Sequence, residues 1–260
     1  MRSILVFADR GAAMAGRLET ALGLARAGSG HVTVVVDTPV TRYISMDPMG
    51  GSYVASDALR EALEKDDSFA AEIEAQLARD DVAFDILRCE DEPVDALAAA
   101  ARLADVVVVS RGCPFAGQLA LTARTPVLVV PQQAPLKAPL ANACIAWDGG
   151  DESAVAMRSA ITLLSAAEQV HVLTVEEKAG GFPATEALRY LSRHGIKAEL
   201  HELPRQASIE ETLARGVSSV SGDLLVMGAF GHSRMREYLF GGVTRYFLES
   251  DAAPALLLAH

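Results

Sequence analysis

Residues Ile4-Leu5-Val6-Phe7-Ala8-Asp9 and Ala143-Cys144-Ile145-Ala146-Trp147-Asp148 decide how the chain is read. Each is an unbroken apolar run closed by an aspartate. Such a run is a strand buried on both faces, as in a parallel sheet, and its carboxylate marks an edge that faces a site. The residues after each aspartate are patterned alike. Met14, Leu18, Ala21, Leu22 and Ala25 share one helical face within 12–27. Ala154, Met157, Ala160, Ile161 and Leu164 do the same after Asp148, with Ser153 or Asp151 as N-cap. The β-branched runs 31–37 and 170–176 come next. Strand, helix, strand in this order is a right-handed crossover between parallel strands.

The chain therefore repeats itself. Asp9 matches Asp148 and Val36 matches Val175, both at an offset of 139. Asp105-Val106-Val107-Val108-Val109-Ser110 matches Asp223-Leu224-Leu225-Val226-Met227-Gly228 at an offset of 118, and the Pro-led final runs 126–130 and 254–258 match at 128. The prediction is α/β: two tandem domains, each an open five-stranded parallel sheet flanked by helices. Their bounds are 1–132 and 142–260, joined by a linker over 133–141 within the proline-rich stretch that holds Pro131, Pro135 and Pro139. The first copy carries about 25 extra residues between its second and third strands, including Tyr43, Pro48, Gly50, Gly51 and Tyr53, then a helix from Ser56 or Asp57.

Composition narrows the function. The 260 residues hold 23 Lys+Arg against 34 Asp+Glu, a formal charge of −11, which argues against general binding to nucleic acid or anionic membrane. Cys89, Cys113 and Cys144 stand far apart, so neither a disulfide framework nor a Cys-rich zinc module is expected, and a reducing cytoplasm fits. The short run 4–8 is too brief for a signal sequence, and no apolar run reaches the ~18 residues of a membrane span.

The strongest functional signal comes after the fourth strand of the second copy. Gly228, Gly231 and Gly241 form G-x2-G-x9-G, with Gly242-Val243-Thr244 directly behind. Glycines let backbone amides approach a ligand, and Gly241-Gly242 lead into a helical register of Val243, Tyr246, Phe247 and Leu248. Amides at a helix N-terminus bind anions. Thr244 adds a hydroxyl, and Arg234, Arg236 and Arg245 gather positive charge in an acidic chain. His232, inside the loop, is a phosphate contact or a solvent-facing residue. The pattern is neither a Walker A nor G-x-G-x-x-G.

With these residues in place, the sequence resembles the universal stress protein family in its tandem form. The resemblance implies the adenine nucleotide alpha hydrolase-like sheet in each domain, pairing through the last strands, and room for a homodimer. In members with the glycine motif it implies bound ATP, or ADP or AMP, with Mg²⁺ as an accompanying ion. It would place Ala146, Asp148 and Val175 at the adenine and ribose end, and Gly228, Gly231, Gly241, Gly242, Val243 and Thr244 around ribose and phosphates, with His232 and Arg234 beside them. The family usually has Ser or Thr where Gly242 stands. The first copy keeps Asp9 but reads Arg111-Gly112-Cys113-Pro114-Phe115-Ala116-Gly117 after Ser110, without the loop. It is expected not to bind ATP as the second copy does.

Other chemistry finds little support. None of His31, His171, His194, His201, His232 and His260 shows metal-ligand spacing, so no metal site is expected. No G-x-S-x-G elbow or activated Cys appears, so no catalytic residue is assigned. Cys113 would be reactive if exposed, while Cys144 is in a buried strand. Asp66-Asp67, Asp80-Asp81 and Glu90-Asp91-Glu92 read as polar surface. The sum is a cytoplasmic stress-response protein whose second domain binds adenine nucleotide as a sensor. A slow ATPase or a pure interaction scaffold is the alternative.

Overall fold

The computed structural model of the chain describes residues 1–46, 52–175, 181–229 and 242–260. The first half runs β1 (Ser3–Ala8), α1 (Met14–Gly28), β2 (His31–Asp37), β3 (Ile44–Met46), β4 (Ser52–Val54), α2 (Ser56–Leu77), β5 (Ala83–Cys89), α3 (Pro93–Ala100), β6 (Val106–Ser110), α4 (Ala116–Thr122) and β7 (Val127–Val130). The second half runs β8 (Asn142–Ala146), α5 (Asp151–Ser159), α6 (Ile161–Leu164), β9 (Gln169–Val175), α7 (Ala184–Arg193), β10 (Ala198–Leu203), α8 (Ile209–Ser219), β11 (Leu224–Gly228), α9 (Gly242–Glu249) and β12 (Ala255–Ala259).

Ten strands make one sheet in the order β10-β9-β8-β11-β12-β7-β6-β1-β2-β5. Each half supplies five of them, parallel throughout, with its first strand in the middle. The halves meet where β12 and β7 pair antiparallel, Leu256 opposite Val129 and Leu258 opposite Val127. Helices α1, α2, α5 and α7 cover one face, through Leu18, Ile73, Met157 and Leu191 among others. Helices α3, α4, α8 and α9 cover the other, through Leu97, Leu119, Val217 and Phe247. Along β6, Val106 and Val108 enter the first core and Val107 and Val109 the second. Both faces are covered, which is why the run is apolar without alternation.

The aspartates that precede the fourth strands have a structural task. The Asp105 carboxylate accepts the Arg2 and Ser3 amides at 2.5 and 3.1 Å. Asp223 accepts those of Ala141 and Asn142 at 2.9 and 3.0 Å. Each ties the start of its neighbouring first strand, so the repeat extends to these charge-assisted bonds.

The stretch 131–141, which holds the expected proline-rich linker, packs against the first half. Leu136 and Leu140 are buried, the Leu136 amide donates to Thr20 Oγ1 at 2.9 Å, and Gln132 donates to the Arg111 carbonyl at 2.9 Å. Both leucines enter the core, Leu136 beside α1. The N-cap of α5 is Gly150, not Ser153 or Asp151, and Ser153 Oγ donates to the Gly150 carbonyl at 2.9 Å. The inserted segment forms the antiparallel pair β3–β4, and α2 starts at Ser56. Pro48, Gly50 and Gly51 lie outside the described residues. Thr38 donates to Asp66 at 2.7 Å, and Arg42 and Thr41 donate to Glu92 at 2.8 and 2.6 Å, which pins the insertion to the sheet.

Arg111 bridges the halves. Its guanidinium, 4% exposed, donates to the Ala253 and Pro254 carbonyls, both at 2.6 Å. Arg111→Ala leaves one buried and one half-buried acceptor without donors and should cost about 2–4 kcal/mol in urea unfolding. Arg111→Lys, with one amine for two carbonyls, should recover only part, and full stability in Arg111→Ala would contradict this role. A second prediction concerns Asp37 at the end of β2. Burial pushes its carboxyl up to about 6, against its own backbone bond and Arg42. A folded pKa above the ordinary one means stability that is full below about pH 4 and lost as pH rises through about 6. Asp37→Asn should therefore raise the melting temperature at pH 8 and change little near pH 4. No gain at pH 8 would contradict it.

Candidate functional site

Strand order reverses at the first strand of each half. A crevice for ligands opens at such a point, outside the carboxyl ends of the strands. In the second half it lies between β8 and β11, and in the first between β1 and β6. Ala146 pairs with Leu173 and Ile145 with Val226, so Ala146, Val175 and Gly228 all end at this same edge. Ala146, Val175 and Gly228 are half-buried, while Asp148, just beyond β8, is exposed.

Asp148 and Asp9 each accept the amide two residues on. Asp148 Oδ1 accepts the Gly150 amide at 2.8 Å, and Asp9 Oδ1 accepts that of Gly11 at 2.7 Å. A Cβ on Gly150 or Gly11 would stand 3.1 or 2.8 Å from that oxygen. In each turn the carboxylate accepts the amide two residues on, as an Asx turn does, ahead of the helix that follows. Asp-x-Gly at both places was the available signal for these two glycines. Gly149, at φ +77°, lies directly against the backbone of Phe182, whose amide donates to the Gly149 carbonyl at 3.0 Å. The Trp147 indole donates to the Phe182 carbonyl at 2.9 Å. The chain after residue 180 is therefore fastened over the Asp148 turn.

The glycine motif divides into parts. Gly228 has a packing reason of its own: a Cβ there would meet the Glu152 carbonyl carbon at 2.7 Å and the Ser153 nitrogen at 2.8 Å. The first turn of α5 rests on it. Gly231, His232, Arg234 and Gly241, with Arg236, lie outside the described residues. Gly242 opens α9 and is exposed, and among the described residues a Cβ there would have no neighbour nearer than 3.9 Å. Val243 is half-buried. Thr244 is buried with Phe247, one turn apart, so its side chain belongs to the packed side of α9. Arg245 is engaged by Glu249 at 2.7 Å.

The first half fills its crevice with its own side chain. Arg17 of α1, 1% exposed, pairs with Asp9 at 3.0 Å and donates to Ser110 Oγ at 3.1 Å, its guanidinium 5.6 Å from the Phe7 ring centre. It thereby joins the carboxyl ends of β1 and β6. At the offset of 139 the second half has Ala156, fully buried, and opposite Ser110 it has Gly228. An outer cleft of about 760 Å³ remains in the first half between the start of α1 and α2, lined by Asp9, Met14, Glu64, Lys65 and Phe69. It is the helix of the insertion that walls it, held by Arg10–Asp66 at 2.8 Å. Cys113 is not activated: burial pushes its thiol up to about 11, and that of Cys144 to about 12.

One grouping escaped the sequence reading. His171 on β9 meets Glu199 and His201 on β10. Their spacing in sequence gives no metal pattern, because strand pairing and not a local motif brings them together.

No protein-family model matches the chain, and the search of curated proteins found no match. Solved structures do match. A universal stress protein from Archaeoglobus fulgidus DSM 4304 aligns at a TM-score of 0.75 and 14% identity, covering 98% of this chain and 97% of that one. A functionally unknown protein from Pseudomonas aeruginosa PAO1 aligns at a TM-score of 0.57 and 15% identity, covering 100% and 92%. The chain thus has, from end to end, the fold of a solved universal stress protein.

Proposed function

We propose that the second half, residues 142–260, binds ATP or another adenine nucleotide at the crevice between β8 and β11 and works as a stress-response sensor in the cytoplasm. The first half, 1–132, is its degenerate partner. One asymmetry carries this reading. The repeated Asp turn stands at both crevices, but Arg17 occupies that of the first half, whereas the second half has Ala156 at that position and keeps Asp148 exposed. A carboxylate at this place accepts from ribose hydroxyls. The amides of Gly242 and Val243, at the start of α9, suit phosphate oxygens. Residues Gly231, His232, Arg234 and Gly241 complete the phosphate end of the reading, with Mg²⁺ as an accompanying ion. Thr244 contributes its amide and not its hydroxyl, since its side chain is buried.

Hydrolysis is a weaker reading. Among the described residues nothing at the second crevice is poised as a general base, and Asp148 Oδ1 is held by the Gly150 amide.

Titration calorimetry should record one adenine nucleotide per chain. At about 100 times the dissociation constant, ligand should add ~2.7 kcal/mol of stability. Asp148→Ala should weaken binding about tenfold or more, at ~1.4 kcal/mol per decade, while Asp9→Ala should leave it unchanged. No heat with ATP, ADP or AMP favours the empty scaffold. Equal losses in both variants would contradict the assignment to one half. A phosphate-release assay should show ATP intact on incubation with Mg²⁺. Turnover abolished by Asp148→Ala would replace the sensor with a slow ATPase.

A further inference from the structure

On the outer strands of the second half, far from the proposed nucleotide crevice, His171 Nδ1 lies 3.0 Å from His201 Nε2. Glu199 Oε2 lies 4.0 Å from the first and 3.8 Å from the second. Register explains the meeting. Glu199 pairs with His171 across β9 and β10, and His201 lies two residues on, on the same face. His171 is buried, His201 is 26% exposed and Glu199 is 72% exposed, so the group opens from the sheet toward solvent. We propose that His171, Glu199 and His201 form a binding site for a divalent transition-metal ion of the zinc class, with a fourth position left to water.

The ligand set suits that class. Two imidazoles and one carboxylate bind zinc in sites that keep an open position. At zinc–nitrogen bonds of about 2.0–2.1 Å, two nitrogens of a tetrahedral site stand about 3.3 Å apart. The observed 3.0 Å needs only a small widening. Glu199 has to close by about 0.5 Å, and its exposed side chain is free to do so. His171 has an orienting partner. Its Nε2 lies 3.5 Å from Asn142 Oδ1, and donation there leaves the Nδ1 lone pair facing His201 and Glu199. Without metal, His201 Nε2–H then donates to His171 Nδ1. On metal binding His201 exchanges its ring proton through solvent to the Nδ1–H tautomer, so both facing nitrogens become ligands on neutral imidazoles.

Burial, and then the neighbouring His201, hold His171 below its ordinary pKa, against the pull of Glu199. A neutral imidazole is the ligating form. Glu199 and His201 come from the outermost strand β10, so a bound ion would fasten that edge to β9. The site lies about 13 Å along β9 from Val175 at ~3.3 Å per residue, so it is separate from the proposed nucleotide site. The first half has no such trio among the described residues; its corresponding edge holds His31 and Asp85 at 3.3 Å.

The test is competition of the full, tag-free chain with a chromophoric chelator for Zn²⁺, repeated with Co²⁺ to read the visible bands of a tetrahedral site. One ion per chain should be retained. Glu199→Gln, at an exposed position, and His201→Ala, at a half-buried one, should each weaken retention by about tenfold or more, while His194→Ala should not. Circular dichroism of the variants should match that of the parent chain. No uptake, or uptake that His201→Ala leaves unchanged, would overturn the site.

Discussion

Val127–Val130 and Ala255–Ala259 are buried on both faces, and each would be the bare apolar edge of a five-stranded sheet if the two did not pair. Their antiparallel ladder turns two incomplete sheets into one of ten strands. It also sets everything else in place. The ladder relates the halves so that equivalent helices cover the same face of the sheet. It brings the Ala253 and Pro254 carbonyls to Arg111, and it keeps the two carboxyl-end crevices on separate parts of the molecule.

Within that frame the halves have diverged where a few side chains decide what a crevice can hold. The strand-start aspartates Asp105 and Asp223 and the turn aspartates Asp9 and Asp148 do the same work in both. The difference is that the first half spends its crevice on an internal ion pair. Removing Asp9 leaves the Arg17 guanidinium, 1% exposed, as a buried charge without its carboxylate, at about 3–5 kcal/mol. Arg17 therefore ties the first half to a structural use of its aspartate. The Arg111 position, where the second copy enters its glycine motif, has likewise become a clamp between halves.

Much of the fold could be read in the amino acids because parallel strands buried on both faces have no polar alternation. Val106-Val107-Val108-Val109 admits few other readings, and the offsets between copies gave order and number of strands. The joint was harder. Pro131, Pro135 and Pro139 look like a tether, but Leu136 and Leu140 fill a core that only the three-dimensional packing reveals. At the candidate site, Asp148 was legible as the residue that ends an apolar strand. Gly228 was ambiguous, since the close approach of α5 demands a glycine there whatever the ligand. Arg17, and the trio of His171, Glu199 and His201, were not legible at all. Their partners come from other strands, and register between strands is not written in local spacing.

The central claim is that a mononucleotide sits on the second half and not on the first. Hydrogen exchange of the whole chain, with and without saturating ATP, tests it most directly. The account predicts slower amide exchange in peptides holding Ala146 to Gly150 and the start of α9, and unchanged exchange around Asp9, Arg17 and Ser110. Protection confined to the first crevice, or none anywhere in the chain, would contradict it.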